Sequence, residues 1–146
     1  MIRDVRNTFG DALAATLAST SATVIGDGID LGSTGRNIGA GVPPLYFVVR
    51  VDTAVVGTSS TYNVELITSD SSTFASGNTT VLQTGAIAEA TLVAGYYMIK
   101  APLPSMTYKR YLGIRNTAGT ANLSAGKIDA FLANDVNALD VYPDGI

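Results

Sequence analysis

The residues that could carry out acid–base or metal chemistry are few and scattered along this chain. Its 146 residues include no histidine and no cysteine, which excludes Ser-His-Asp and Cys-His catalysis, thiolate zinc sites and disulfides. Glu65 and Glu89 are the only glutamates, and neither lies in a motif typical of the facing carboxylates of a glycosidase. Asp27 and Asp30 flank a glycine, but a calcium loop needs more oxygen ligands in ordered spacing. We therefore expect no catalytic residue, no metal and no cofactor, and predict that the protein is not an enzyme.

A glycine-rich segment at residues 36–41 (RNIGAG) is the one candidate for holding a phosphate. It contains a G-x-G, but it lacks the lysine and hydroxyl residue of a P-loop, and no strand-to-helix pattern surrounds it. The segment is therefore expected to be a connection that crosses between sheets.

Basic and aromatic residues concentrate in residues 108–115. If this segment is a strand, Arg110 shares one face with Leu112 and Ile114, while Tyr111 and Arg115 share the other. Tyrosine and arginine are enriched in interface hot spots, so one interpretation is a binding surface. The other is a solvated outer face whose cations pair with Asp and Glu. Acidic residues outnumber basic ones, for a net charge of −3, which disfavours binding to nucleic acid.

The segments that carry these residues are predicted to be strands. Serine and threonine together number 28 and glycine 15, a composition that favours strands and turns over helices. Alternating apolar residues predict strands at residues 22–31, 45–52, 62–66, 80–84, 86–92, 96–101, 109–116 and 127–134. About eight short strands at this spacing predict an all-β fold, an antiparallel jelly roll or β-sandwich.

Two local details follow from the same patterns. Residues 53–61 are predicted to be a hairpin loop, which would place Glu65 opposite Arg50 on the paired strands. Residues 71–76 are predicted to form a short helix, because Asp70 can cap its start and Gly77 lies just past its end.

The two ends of the chain fit neither pattern. In residues 1–21 the apolar residues recur every three or four positions, which predicts an amphipathic helix, but the later half is equally consistent with an extended arm. Residues 136–146 have no clear period, yet their apolar side chains need burial. We divide the chain into an N-terminal arm (1–21), a β-sandwich domain (22–135) and a C-terminal arm (136–146).

The sequence contains no apolar run near the roughly 20 residues that a transmembrane helix needs. Residues 1–13 also lack the clean apolar core of a secretory signal. We expect a soluble protein, made in the cytoplasm and not secreted, with no membrane partner.

Several segments resemble the small capsid cement, or decoration, proteins of tailed bacteriophages. They are residues 24–32 (VIGDGIDLG), 36–46 (RNIGAGVPPLY) running into the strand 47–52, 65–70 (ELITSD) followed by Phe74, and 130–136 (AFLANDV) followed by YPDGI at 142–146. The similarity covers most of the chain, in order and at comparable length, and none of these segments is catalytic.

This resemblance implies a jelly-roll domain on the outer surface of the phage capsid, where it bridges subunits of the major capsid protein and stabilises the shell. It also implies self-association, expected as a homodimer on the capsid, with no nucleic-acid partner. On this basis the residues expected at the capsid or self interface are Arg36, Asn37, Arg110, Tyr111, Arg115, Tyr142 and Pro143. The alternative is a jelly-roll carbohydrate-binding or host-attachment module of a phage tail, with Tyr96 and Tyr97 as its candidate aromatics.

Overall fold

The computed structural model describes residues 5–134 and 136. These residues form nine β-strands and no α-helix. The strands are β1 (Thr8–Ala14), β2 (Ala22–Asp30), β3 (Tyr46–Gly57), β4 (Thr61–Ser69), β5 (Thr79–Gln83), β6 (Ile87–Ala88), β7 (Tyr97–Pro102), β8 (Tyr111–Ala118) and β9 (Leu123–Ala133). Short 3-10 turns lie at Val5–Asn7, Ile38–Ala40 and Glu89–Thr91. Within the described ranges, no helix has the length and apolarity to span a membrane.

The strands pair into two antiparallel sheets. The first has the order β1-β9-β3-β7, and the second has the order β2-β8-β4-β5, with β6 pairing with β4 on the same edge as β5. If β5 and β6 are counted as one interrupted strand, eight strand positions remain, ordered 1-8-3-6 in one sheet and 2-7-4-5 in the other. This is the order of a jelly roll, in which most connections cross from one sheet to the other. The predicted fold class is confirmed.

The core lies between the sheets and follows from strand alternation. In β3, Phe47, Val49 and Val51 are fully buried, because every second side chain points at the opposite sheet. Phe47 meets Phe9 of β1 edge to face, with ring centroids 6.0 Å apart. The fully buried apolar side chains that complete the core from other elements include Tyr62, Val64, Leu66, Leu92, Tyr108, Leu112, Ile114, Ile128 and Ala130.

The predicted hairpin at residues 53–61 is wrong. Strand β3 continues to Gly57, and the three residues 58–60 lead into β4, which belongs to the other sheet. Alternation within a segment shows that it is a strand, but it carries no information on which strand lies beside it. Arg50 therefore does not lie opposite Glu65; β3 pairs Arg50 with Asp129, and β4 pairs Glu65 with Arg115.

The first described strand explains the helix-like spacing near the N-terminus. Residues Thr8–Ala14 form β1, an edge strand of the first sheet paired with β9. Its register shifts twice, and Ala12 has a left-handed φ of 51°. Bulges of this kind insert extra residues into a strand. Phe9 and Leu13 both pack against the core. Because residues four apart share a face in a strand as well as in a helix, this spacing imitates a helical period. Apart from the 3-10 turn at Val5–Asn7, the described part of this segment contains a strand and no α-helix.

The segment predicted to be a helix at residues 71–76 is instead an irregular loop. Phe74 adopts a left-handed φ of 54°, a conformation that a helix cannot contain. Its ring lies on the outer face of the second sheet, over Gly28 of β2 and Gly113 of β8. A Cβ built on Gly113 would lie 2.6 Å from the ring. The two glycines thus leave space for the Phe74 ring, and this packing holds the loop against the sheet.

The predicted strand at residues 86–92 is also only partly present. Ile87–Ala88 pair with β4 as β6, and the chain then turns into the 3-10 turn Glu89–Thr91. The alternating pattern places Leu92 in this strand. Leu92 is buried, but its side chain reaches the core from the end of the turn and not from a strand.

Candidate interaction surface

Three loops meet at one end of the sandwich, which we call the loop end: residues 31–45, 70–78 and 103–110. The Thr34 hydroxyl donates to the Asp70 carboxylate at 2.7 Å. The Tyr108 amide donates to the Arg36 carbonyl at 2.9 Å. The Lys109 ammonium donates to the Gly77 carbonyl. Each loop is therefore bonded to another, and the end forms one connected surface.

The base of the loop formed by residues 36–44 is bonded on both sides. The Gly35 amide donates to the Tyr108 carbonyl at 2.8 Å, which with the Arg36 bond makes a short antiparallel bridge. The Asn37 side chain donates to the Ser105 hydroxyl at 2.8 Å and accepts from the Met106 amide at 3.2 Å. Since one amide side chain satisfies both a donor and an acceptor, Asn37 joins the two loops.

Buried contacts reinforce this base. Tyr108 is fully buried, and its hydroxyl donates to the Pro104 carbonyl at 2.7 Å. Burial raises the pKa of Tyr108 to about 12. Gly39 passes so close to Pro104 that a Cβ there would lie 2.0 Å from its carbonyl oxygen. Only glycine fits at such a distance, so the loop is pressed against residues 103–104.

The tip of the same loop points into solvent. Residues 41–44 are all exposed, and the Val42 side chain is 98% exposed. Pro43 and Pro44 follow it directly, and proline fixes φ. The loop end therefore presents an apolar tip on a base that is held by hydrogen bonds and packing. Sequence patterns did not single out Val42; a valine between glycine and two prolines in a loop was the available signal.

Replacing Asn37 by alanine is expected to loosen this loop without unfolding the sandwich. The change removes two hydrogen bonds of about 0.5–1.5 kcal/mol each, so local opening should become roughly tenfold more frequent. Hydrogen exchange at the Met106 amide, which donates to Asn37, measures this. The Val51 amide, which lies within β3 and donates to the Tyr96 carbonyl, is the control. Unchanged exchange at Met106 would contradict the anchoring role of Asn37.

Arg110 lies at the loop end in a fixed orientation. Its Nε and Nη2 donate to the two carboxylate oxygens of Asp30 at 3.0 Å each, and its guanidinium lies 5.1 Å from the ring centroid of Tyr111. The hydrogen bond from Arg110, assisted by the Gly32 amide, lowers the pKa of Asp30, and the same bond raises the pKa of Arg110. Because both side chains are nearly half exposed, the pair mainly orients Arg110 and adds little stability.

The predicted face of Arg110 is wrong. Strand β8 begins only at Tyr111, and the arginine stands outside it, away from the buried Leu112 and Ile114. The Leu31 amide donates to the Arg110 carbonyl at 2.8 Å. Arg110 thus helps to join the loop 103–110 to the loop 31–45.

Arg115 lies further along β8, on the outer face of the second sheet. Its Nε and Nη2 both approach Glu65 Oε2 at 2.6 Å. This is the outer-face pairing that was the alternative to a binding surface. Of the seven expected interface residues, the structure thus brings together Arg36, Asn37, Arg110 and Tyr111 at the loop end. Tyr142 and Pro143 lie outside the described residues.

The loop end presents side chains that are suited to contact with another molecule. Among residues 5–134 and 136, no group of three or more acidic, histidine or cysteine side chains is placed to hold a metal ion. What the surface offers is an apolar tip, an oriented guanidinium and an aromatic ring, which are features suited to another macromolecular surface.

Comparison with known proteins gives one family. No curated protein matches the sequence. The Bbp16 family model matches residues 10–132, which run from β1 into β9 and include the whole loop end. The match covers most of the chain, and the protein therefore belongs to the Bbp16 family.

Proposed function

We propose that the protein is a capsid cement protein, which binds the outer surface of a phage head and bridges major capsid subunits through the loop end. The observation that carries this proposal is the 36–44 loop, with a fully exposed Val42 on a base held by Asn37 and Tyr108. A loop that is ordered before binding loses little conformational entropy when it docks. An apolar tip can then be buried in a partner at small cost.

The resemblance to cement proteins supports the same surface. Two of the segments that carry it, residues 24–32 and 36–46, lie in β2 and in the loop that forms the tip. On this proposal the tip enters an apolar depression on a capsid subunit, and Arg110 and Tyr111 contact the subunit beside it. The protein self-associates as a homodimer on the shell, is part of the virion and contacts no nucleic acid.

Weak individual contacts suffice for this role. A shell repeats the same site many times, and two linked copies bind with a much higher effective concentration than one. A jelly roll adds mechanical stiffness, because its interior is packed between two sheets. The proposed mechanism is thus mechanical: the sandwich stays rigid while its loop end joins neighbouring subunits.

Val42→Asp is expected to lower binding to cement-free capsid shells by at least tenfold, equivalent to about 1.4 kcal/mol, because a carboxylate would be desolvated in the apolar site. Sedimentation of the protein with shells measures the bound fraction. Val93→Asp is the matched control: Val93 is 56% exposed and lies near Val55, at the other end of β3. Equal loss in both variants, or none in Val42→Asp, would count against the proposed surface.

The copy number in purified particles tests the function itself. A ratio near one copy per major capsid subunit is expected. A ratio of tens of copies per particle, confined to the tail, would favour the alternative of a carbohydrate-binding or host-attachment module. Thermal stabilisation by sugars would point the same way, since a ligand that binds only the folded state raises its stability.

A further inference from the structure

The outer face of the first sheet carries a second apolar cluster, separate from the core. It consists of Val48, Phe131 and Ala133, with Tyr46, Tyr97 and Val136 packed on them; we call it the outer cluster. Val48 is 0% and Phe131 1% exposed. These side chains point away from the other sheet, since their strand neighbours Phe47 and Leu132 belong to the core.

On the outer face of the first sheet, the buried apolar side chains are confined to one region. One face of an antiparallel sheet usually meets water, and further along β3 and β9 the outward residues Asp52, Ala125 and Lys127 are exposed. The buried patch lies at the end of β9, where the chain leaves the sheet after Ala133. The residues that shield the outer cluster from solvent are therefore expected close to the end of β9, where the chain continues toward its C-terminus.

Val136 shows the direction that the chain takes. Within the described ranges, it is the hydrophobic residue from outside the sheet that packs on the outer cluster. Val136 thus lies against the outer face, two residues beyond Asn134. The ten residues that follow can reach about 33 Å when extended, against roughly 14 Å across a four-stranded sheet.

The chemistry of those residues matches the face. Residues 137–146 include Leu139, Val141, Tyr142 and Ile146, and two carboxylates, Asp140 and Asp144. Beside the outer cluster stand two cations on the Tyr97 ring, with Lys100 Nζ 4.7 Å and Arg50 Cζ 5.9 Å from its centroid. Apolar residues interspersed with acids suit an apolar patch edged by cations.

We propose that residues 137–146 of this chain bind the outer cluster of its own first sheet. The segment buries its apolar side chains on Val48, Phe131 and Ala133, and its aspartates lie toward Arg50 and Lys100. Tyr142 is one of these apolar side chains. This concerns the isolated chain, so it holds or fails independently of the proposed function.

A single tryptophan tests the proposal, because the chain contains none. In the full-length Tyr142→Trp protein, the emission is expected to be blue-shifted relative to a free peptide of residues 137–146 carrying the same change. Acrylamide should quench it several-fold less than it quenches the peptide, at all protein concentrations. Emission and quenching equal to those of the peptide would overturn the proposal. A blue shift that appears only at high concentration would also overturn it, in favour of binding to a second copy.

Variants of the face locate the binding site. Ala133→Arg in the Tyr142→Trp protein should restore peptide-like emission and quenching, whereas Ala125→Arg, an exposed position on the same strand, should change neither. If Ala133→Arg does not fold by circular dichroism, Lys100→Glu at an exposed side chain serves in its place, and should raise quenching by repelling Asp140 and Asp144. Protection of the tryptophan in every face variant would place the segment elsewhere and overturn the proposal.

Discussion

Phe74→Ala is expected to lower the free energy of unfolding by about 3 kcal/mol, as for other buried phenylalanines. The ring is only 7% exposed and lies over Gly28 and Gly113. Its removal loses apolar burial and leaves a space that two glycines cannot fill. Alanine also gives no relief at the left-handed φ of 54°, because it carries a Cβ as well. Urea denaturation measures the loss, and Thr73→Ala, at an exposed neighbouring position, should cost far less.

A substitution of Gly113, which lies beneath the Phe74 ring, tests the same contact from the sheet side. Gly113→Ala is expected to cost about 1–3 kcal/mol through overpacking, since the new methyl group would lie 2.6 Å from the Phe74 ring. In the double variant the methyl group occupies space that the ring has left. The two losses should therefore sum to more than the loss in the double variant. Additive losses would show that the ring does not rest on Gly113.

Alkaline pH is expected to destabilise the fold well before its arginines lose their charge. Burial raises the pKa of Tyr62 and of Tyr108 to about 12, and for Tyr62 a hydrogen bond from Asn116 opposes this to a lesser degree. In the unfolded chain a tyrosine ionises near pH 10. Between pH 10 and 12 the folded state therefore holds more protons than the unfolded state, and stability falls as pH rises. Tyr62 alone should account for roughly 2 kcal/mol by pH 12.

Urea midpoints measured from pH 8 to pH 12 check this prediction. Tyr62→Phe keeps the buried ring and removes the ionisable group, so its stability should start lower but decline less steeply above pH 10. Its lower starting point follows from Asn116, whose amide donates to the Tyr62 hydroxyl at 3.2 Å. The same steepness in both proteins would mean that Tyr62 does not cause the alkaline loss.

The fold class follows from local patterns in the sequence. In β3, the apolar Phe47, Val49 and Val51 share one face while Arg50 and Asp52 fall on the other, and this alternation predicts a strand without knowledge of its neighbours. The abundance of threonine and glycine acts in the same direction, because β-branching favours extended backbone and glycine permits tight turns. The lack of histidine and cysteine likewise restricts the chemistry through residue type alone.

The site is predictable from the sequence only in part. Arg36, Asn37, Arg110 and Tyr111 come from two segments far apart in the sequence. The residue types of Arg110 and Tyr111 suggested an interface, whereas Arg36 and Asn37 were expected there from the resemblance to cement proteins. That they lie at the same end depends on the bridge between Arg36 and Tyr108, a contact that no local pattern contains. The exposure of Val42 depends likewise on where the base of its loop is held.

Which strands are neighbours depends on contacts between distant parts of the chain. Glu65 was expected to face Arg50 and instead pairs with Arg115, because β3 and β4 belong to different sheets. Tertiary contacts also determine three other features: the bulges of β1, the packing of Phe74 on Gly28 and Gly113, and the burial of Val48 on an outer face. Alternation is set by the geometry of one strand, whereas register, sheet membership and the covering of a face depend on contacts between residues far apart in the chain.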